Sequence, residues 1–235
     1  MDAMTTARGA RAIVALDSPT FADAVAVVDA LGDSCDFFKI GSELFTAAGP
    51  PAVDALRKRQ LDVFLDLKFH DIPNTVRGAV RSAAGLGATL LTVHAAGGAD
   101  MLSAAAEGAG DRCRVLAVTV LTSLGPSELS RAWGRDIGAV GDEVLRLADL
   151  ARSSGVHGVV CSGMEAAAVR AAHGEALEIL VPGIRLEGGP AHDQARVATP
   201  AEVVAAGANY LVVGRAVTSA RDPRAAMRRV REALR

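Results

Sequence analysis

Short apolar runs recur along the chain, each ending in polar or glycine-bearing residues and followed by a longer stretch with helical spacing. The runs occupy 12–16, 37–40, 61–65, 89–93, 114–120, 158–160, 178–181 and 210–213. Runs of this length, bounded by turn residues, predict buried strands. The stretches between them predict helices at 18–31, 51–59, 76–86, 99–107, 137–153, 165–173, 200–206 and 223–234. Ser18, Pro19 and Thr20 suit the start of the first helix. The segment before 137, which carries the lone Trp133, reads as a loop.

Strands alternating with helices indicate a parallel sheet. Eight such units, with no linker between them, in 235 residues match the length of a closed (β/α)8 TIM barrel. An open doubly wound sheet is the competing architecture, but no G-x-G-x-x-G follows the first strand. The expectation is one barrel domain over 1–235. No residue-level repeat appears beyond this alternation.

Composition narrows the function classes. Half of the residues are hydrophobic, enough for a sizeable core, whereas aromatics are 3% and leave little for stacking on bases. A net charge of −2 with both signs interspersed gives no footprint for nucleic acid. Cys35, Cys113 and Cys161 lack C-x-x-C spacing and read as reduced, buried thiols. Residues 1–11 do not resemble a signal peptide, and no apolar run is long enough to cross a bilayer. A soluble, cytoplasmic protein without a membrane partner is expected.

The chemistry gathers where strands end. Those ends carry Asp17, Lys39, Asp66 with Lys68, His94, Thr122, Pro182 and Gly214-Arg215, and in TIM barrels active sites lie at that rim. The strand starts read as mixed and unpatterned. Asp17 could instead cap the first helix. Lys39 lies within an apolar segment, where a lysine calls for a partner. Together with Asp66, Lys68 and Asp71 it makes an alternating set of two cations and two anions. Such a set can stay ionised in a dry site and place an ammonium where a carbanion needs a proton. After the last two strands, Gly183, Arg185, Gly214 and Arg215 suit a phosphoryl group by close backbone approach and a guanidinium fork. The connection 185–194, with Gly188-Gly189-Pro190, reads as a closing lid, the alternative being a surface loop.

These pieces together resemble the orotidine 5′-phosphate decarboxylase family. The resemblance is carried in order by Ala15-Leu16-Asp17, Phe38-Lys39-Ile40-Gly41, Asp66-Leu67-Lys68-Phe69-His70-Asp71-Ile72-Pro73-Asn74-Thr75, Val93-His94-Ala95, Val120-Leu121-Thr122-Ser123, Val181-Pro182-Gly183-Ile184-Arg185, His192-Asp193-Gln194 and Val213-Gly214-Arg215. The ten residues 66–75 are highly specific, whereas Val-Gly-Arg alone is weak. The resemblance implies conversion of orotidine 5′-monophosphate to uridine 5′-monophosphate and CO2 in a homodimer with shared active sites. Lys68 is then the proton donor to pyrimidine C6. Asp66 and Lys39 complete the array, with Asp71 supplied by the partner subunit. Asp17 and Lys39 would hold ribose hydroxyls, assisted by Thr75 across the interface. Thr122 and Ser123 would lie at the pyrimidine, Arg185, Gln194, Gly214 and Arg215 would bind the phosphate, and Pro182 is expected among the substrate-binding residues. His192 departs from the glycine usual in the family at that place and bears on lid flexibility.

No metal and no cofactor is expected, because no His or carboxylate cluster has ligand spacing beyond the motif itself. Related barrels with a D-x-K-x-x-D core, 3-keto-L-gulonate 6-phosphate decarboxylase and hexulose-phosphate synthase, use magnesium. The Ile72-Pro73-Asn74-Thr75 continuation argues against them. A non-catalytic phosphate-binding barrel would not need both Asp66 and Lys68. His70 and His94 read as structural, and His157 and His173 show no ligand spacing.

Overall fold

Each apolar run becomes a strand because the barrel offers it two dry faces, one toward the axis and one toward the helices. The computed structural model describes residues 9–186 and 198–234. Its strands are β1 (Arg11–Leu16), β2 (Phe37–Gly41), β3 (Asp62–Phe69), β4 (Leu90–His94), β5 (Arg114–Val118), β6 (Gly158–Val160), β7 (Glu178–Val181) and β8 (Tyr210–Val213). All pair in parallel, in sequence order, and β8 closes on β1. The helices are α1 (Phe21–Leu31), α2 (Ser42–Ala48), α3 (Pro50–Lys58), α4 (Pro73–Gly85), α5 (Ala99–Ala109), α6 (Pro126–Trp133), α7 (Val140–Ser153), α8 (Gly163–His173), α9 (Pro200–Ala205), α10 (Arg215–Thr218) and α11 (Pro223–Glu232). The (β/α)8 barrel expected from the sequence is the fold. No helix among the described residues is long and apolar enough to cross a membrane.

Alternation along the strands separates two cores. Ile13, Ala15, Phe37, Phe64, Leu90, Leu116, Val118, Val160, Leu180 and Val212 fill the barrel interior. The larger cluster lies between the outer strand faces and the helices, where Val14, Leu16, Phe38, Ile40, Leu65 and Leu91 meet apolar helix positions such as Val28, Val53 and Val80. Burying each Leu, Val or Phe contributes about 1.5–3 kcal/mol, so the shell and the plug each hold the barrel. Cys35, Cys113 and Cys161 are buried and unbridged. Burial pushes the Cys35 thiol up to about 11 and the Cys113 thiol up to about 12.

The structure corrects the sequence reading in three places. The strand starts are not unpatterned: Arg11 reaches Asp62 at 2.8 Å and Asp36 at 3.6 Å, and Arg114 reaches Glu178 at 2.7 Å. Arg11 also lies over the Phe37 ring, 4.6 Å from its centroid, and Tyr210 packs edge-on to that ring. Charges at this rim neutralise one another over an aromatic floor, whereas those at the other rim face a cavity. Strand β3 does not stop at residue 65 but runs to Phe69, with an irregular register after Leu65 and Lys68 at φ +48°. The helices α2, α6 and α10 were not anticipated, and Trp133 ends α6 rather than lying in a loop.

Candidate active site

Three adjacent strands deliver a row of charges to one rim. Asp17 follows β1, Lys39 lies in β2, and Asp66 and Lys68 lie near the end of β3. Lys39 Nζ donates to Asp17 Oδ1 at 2.7 Å and stands 3.7 Å from Asp66 Oδ2. Lys68 Nζ donates to Asp66 Oδ1 at 2.8 Å. The side chains of Lys39 and Asp66 are only 10% and 15% exposed, against 62% for Asp17 and 36% for Lys68. The two inner charges therefore depend on each other and on their outer partners, because an unpaired ion there would be strongly destabilising.

Burial works against the ionised form of Asp66, but the charges of Lys68 and Lys39 and the hydrogen bonds from Lys68 and Thr92 outweigh it. The carboxyl is held below its usual range. Gly41 allows the approach of Lys39 and Asp17, since a Cβ there would stand 3.0 Å from Lys39 Nζ and 3.4 Å from Asp17 Oδ1. Helix α1 takes its cap from Thr20, which accepts from Asp23 N at 3.2 Å. Asp17 is thereby left to Lys39, and the helix-cap alternative falls.

The row borders a cavity of about 460 Å³, within the range of roughly 300–1,000 Å³ that small-ligand sites occupy. Its apolar depth is made by Ala15, Phe64, Val118, Val160, Leu180 and Val212. Leu121 and Thr122 line it from the β5 side, and Pro182, Gly183, Arg185, Gly214, Arg215 and Thr218 from β7 and β8. Gly183 has φ +77°, which favours glycine. Arg185 Nη1 donates to Ile184 O at 3.1 Å, while its buried Nε has no hydrogen-bond partner among the described residues. A buried donor in that condition, at a cavity wall, suits an anionic ligand.

Not every expected residue reaches this cavity. Asp71 is exposed and accepts from Ile72 N at 2.6 Å, and none of the ion pairs among the described residues joins it to the row. The four-charge set expected from the sequence is thus, within one chain, the row Asp17–Lys39–Asp66–Lys68. Asp71 lies in the short link between the end of β3 at Phe69 and the start of α4 at Pro73. Thr75 and Ser123 are exposed and do not line the cavity. Gln194, His192, Asp193 and the expected lid lie outside the described residues.

Sequence reasoning missed Thr92, which is fully buried and donates to Asp66 Oδ1 at 2.9 Å. One polar residue in the apolar run Leu90-Leu91-Thr92-Val93, on the strand beside the D-x-K motif, was the available signal. The imidazoles of His70 and His94 pack at 5.5 Å. Burial, then His70 and Lys68, lower the His94 pKa against the opposing pull of Asp66. His157 accepts from Val115 N through Nδ1 at 3.1 Å, and His173 is buried near Asp149. Among the described residues, no group of three or more His, Cys, Asp or Glu could hold a metal ion.

Comparison with known proteins agrees with this arrangement. Residues 10–230 match the family model described as Orotidine 5'-phosphate decarboxylase / HUMPS family. The orotidine 5'-phosphate decarboxylase of Anaeromyxobacter sp. (strain K) is 53% identical over 227 residues, covering 95% of this chain and 98% of that protein. The protein of the same name from Alkalilimnicola ehrlichii is 51% identical over 230 residues, covering 95% of this chain and 96% of its own. The crystal structure of orotidine 5'-phosphate decarboxylase from Lactobacillus acidophilus superposes with a TM-score of 0.86 at 36% identity, over 96% of this chain and 99% of that one. With the barrel, the rim of alternating charges and these relatives in agreement, the chain belongs to the orotidine 5'-phosphate decarboxylase / HUMPS family.

Proposed function

We propose that this chain decarboxylates orotidine 5′-monophosphate to uridine 5′-monophosphate and CO2, the reaction named for its relatives. The observation that carries the reading is the row Asp17–Lys39–Asp66–Lys68 at the edge of a cavity whose β7–β8 wall holds two arginines. Arg185, Gly214 and Arg215 take the phosphate, with Gln194 from the connection beyond Arg185. Asp17 and Lys39 take ribose hydroxyls. Pro182 and Thr122, which line the cavity, border the pyrimidine.

The bond from C6 to the carboxylate breaks, its electron pair stays on C6, and CO2 leaves. The resulting carbanion lacks resonance relief, so a fixed cation beside it supplies the stabilisation. The Lys68 ammonium stands there, held by Asp66, and then transfers its proton to C6. Binding energy from the distant phosphate supports this step when it is expressed in the transition state.

Asp71 and Thr75 complete the site across a two-fold interface. This is supported by Asp71 standing outside its own chain's row and by Ile72 beside it, an isoleucine 68% exposed. Lys68 therefore acts within its chain while Asp71 serves a second copy.

The test is to incubate the protein with orotidine 5′-monophosphate in EDTA and follow uridine 5′-monophosphate. Turnover is expected to continue undiminished. No product, or turnover that vanishes with EDTA and returns with magnesium, would move the chain toward the sugar-phosphate relatives.

A further inference from the structure

The register of β3 against β4 leaves an irregularity that one side chain bridges. Leu65 stands opposite Leu91 and Phe69 opposite Val93, so Asp66, Leu67 and Lys68 share the single residue Thr92 across the ladder. Surplus residues in one strand disrupt the ladder locally and re-aim the side chains they carry. Lys68 takes φ +48°, a backbone conformation that a lysine rarely adopts. Its amide N–H donates to Thr92 Oγ1 at 3.0 Å. The same hydroxyl donates to Asp66 Oδ1 at 2.9 Å, the oxygen that also accepts from Lys68 Nζ at 2.8 Å. A closed loop results: Lys68 backbone to Thr92, Thr92 to Asp66, and Lys68 ammonium back to Asp66. Thr92 is fully buried, so solvent does not compete for its hydroxyl.

We infer that Thr92 is a positioning residue for proton delivery, its hydroxyl fixing both the irregular backbone of Lys68 and the carboxylate that aims Lys68 Nζ. The inference rests on the reading of Lys68 as proton donor. A methyl group in place of the hydroxyl leaves the Lys68 amide unmet and deprives Asp66 of one donor.

Thr92→Val keeps the volume and removes the hydroxyl, so it is the central variant. Its kcat should fall about 10- to 100-fold, the loss expected for a buried hydrogen bond to a charged acceptor. KM should stay within about threefold, because the phosphate residues lie on other strands. The acidic limb of kcat/KM should move to higher pH, since a carboxylate that loses a donor binds its proton more tightly. Thr92→Ser should restore most of kcat.

Wild-type kcat in folded Thr92→Val, equal losses in the Val and Ser variants, or a change confined to KM would each overturn the inference. If Thr92→Val does not fold, Thr92→Ser against Thr92→Cys asks the same question, because a thiol donates weakly; equal rates there would also overturn it. Lys68→Ala is measured alongside. Substantial turnover by that variant would sink the reading of Lys68 itself, whereas an inactive Lys68→Ala beside an unimpaired Thr92→Val would sink only the role of Thr92.

Discussion

Asp66 is ionised in a place that disfavours charge, and its stability consequence has a definite sign. Its folded pKa lies below the unfolded value, so its contribution is fully present above about pH 4 and is lost as pH falls through the folded pKa. Asp66→Asn leaves Lys39 and Lys68 without their shared anion and should destabilise the fold by about 2–4 kcal/mol near neutrality. The gap between wild type and variant should then narrow below pH 4. Urea unfolding at a series of pH values measures it. A gap that holds constant down to pH 3, or a variant more stable throughout, would remove Asp66 from the stabilising side of the row.

Among the elements, some helix boundaries are set by side-chain caps. Helices α8, α9 and α11 take side-chain caps from Ser162, Thr199 and Asp222, and α1 from Thr20. Asp222 accepts from Ala225 N at 2.9 Å, so Asp222→Ala should lower stability by about 1 kcal/mol and the Tm by roughly 2–4 °C. Turnover at room temperature should be unchanged, and a loss of activity in the folded variant would mean that α11 shapes the cavity. Caps account for only part of what could be read from sequence. The side-chain-capped helices fall within a few residues of their expected places. So do α3, α4, α5 and α7, which lack a capping side chain but carry apolar spacing, whereas the missed α2, α6 and α10 span only seven, eight and four residues. The continuation of β3 was hidden for a different reason: Asp66 and Lys68 look like residues leaving a strand, and the Thr92 hydroxyl on the neighbouring strand meets both of them within it. The rim positions of Asp17, Lys39, Asp66, Lys68 and Arg215 were legible, because a strand end is a local property. Spacing alone grouped Asp71 with that row, and only the resemblance implied that it serves the partner subunit.

For the whole molecule the decisive question is assembly. Lys68→Ala and Asp71→Ala should each be nearly inactive alone, since each would lack one part of the proposed shared site. In a mixed dimer the Lys68→Ala chain lends its intact Asp71 to a partner that keeps Lys68, giving one wild-type site and one doubly damaged site. Random pairing of equal amounts makes about half the dimers mixed and half their sites intact, so about a quarter of full activity should return. Co-expression with two tags, purification of the mixture and assay tests this. No gain in a sample shown to contain mixed dimers would place Asp71 in its own chain's site.

The aromatic and ionic floor beneath the barrel has a further consequence. Phe37, Leu90, Leu116 and Ile13 are completely buried, and Arg11 and Tyr210 pack against Phe37 from the far side. Among the described residues the barrel axis is therefore a blind alley with one mouth. Everything that goes in must back out the same way. In the proposed reaction CO2 and the nucleotide would share that mouth, so access there would govern departure as firmly as arrival.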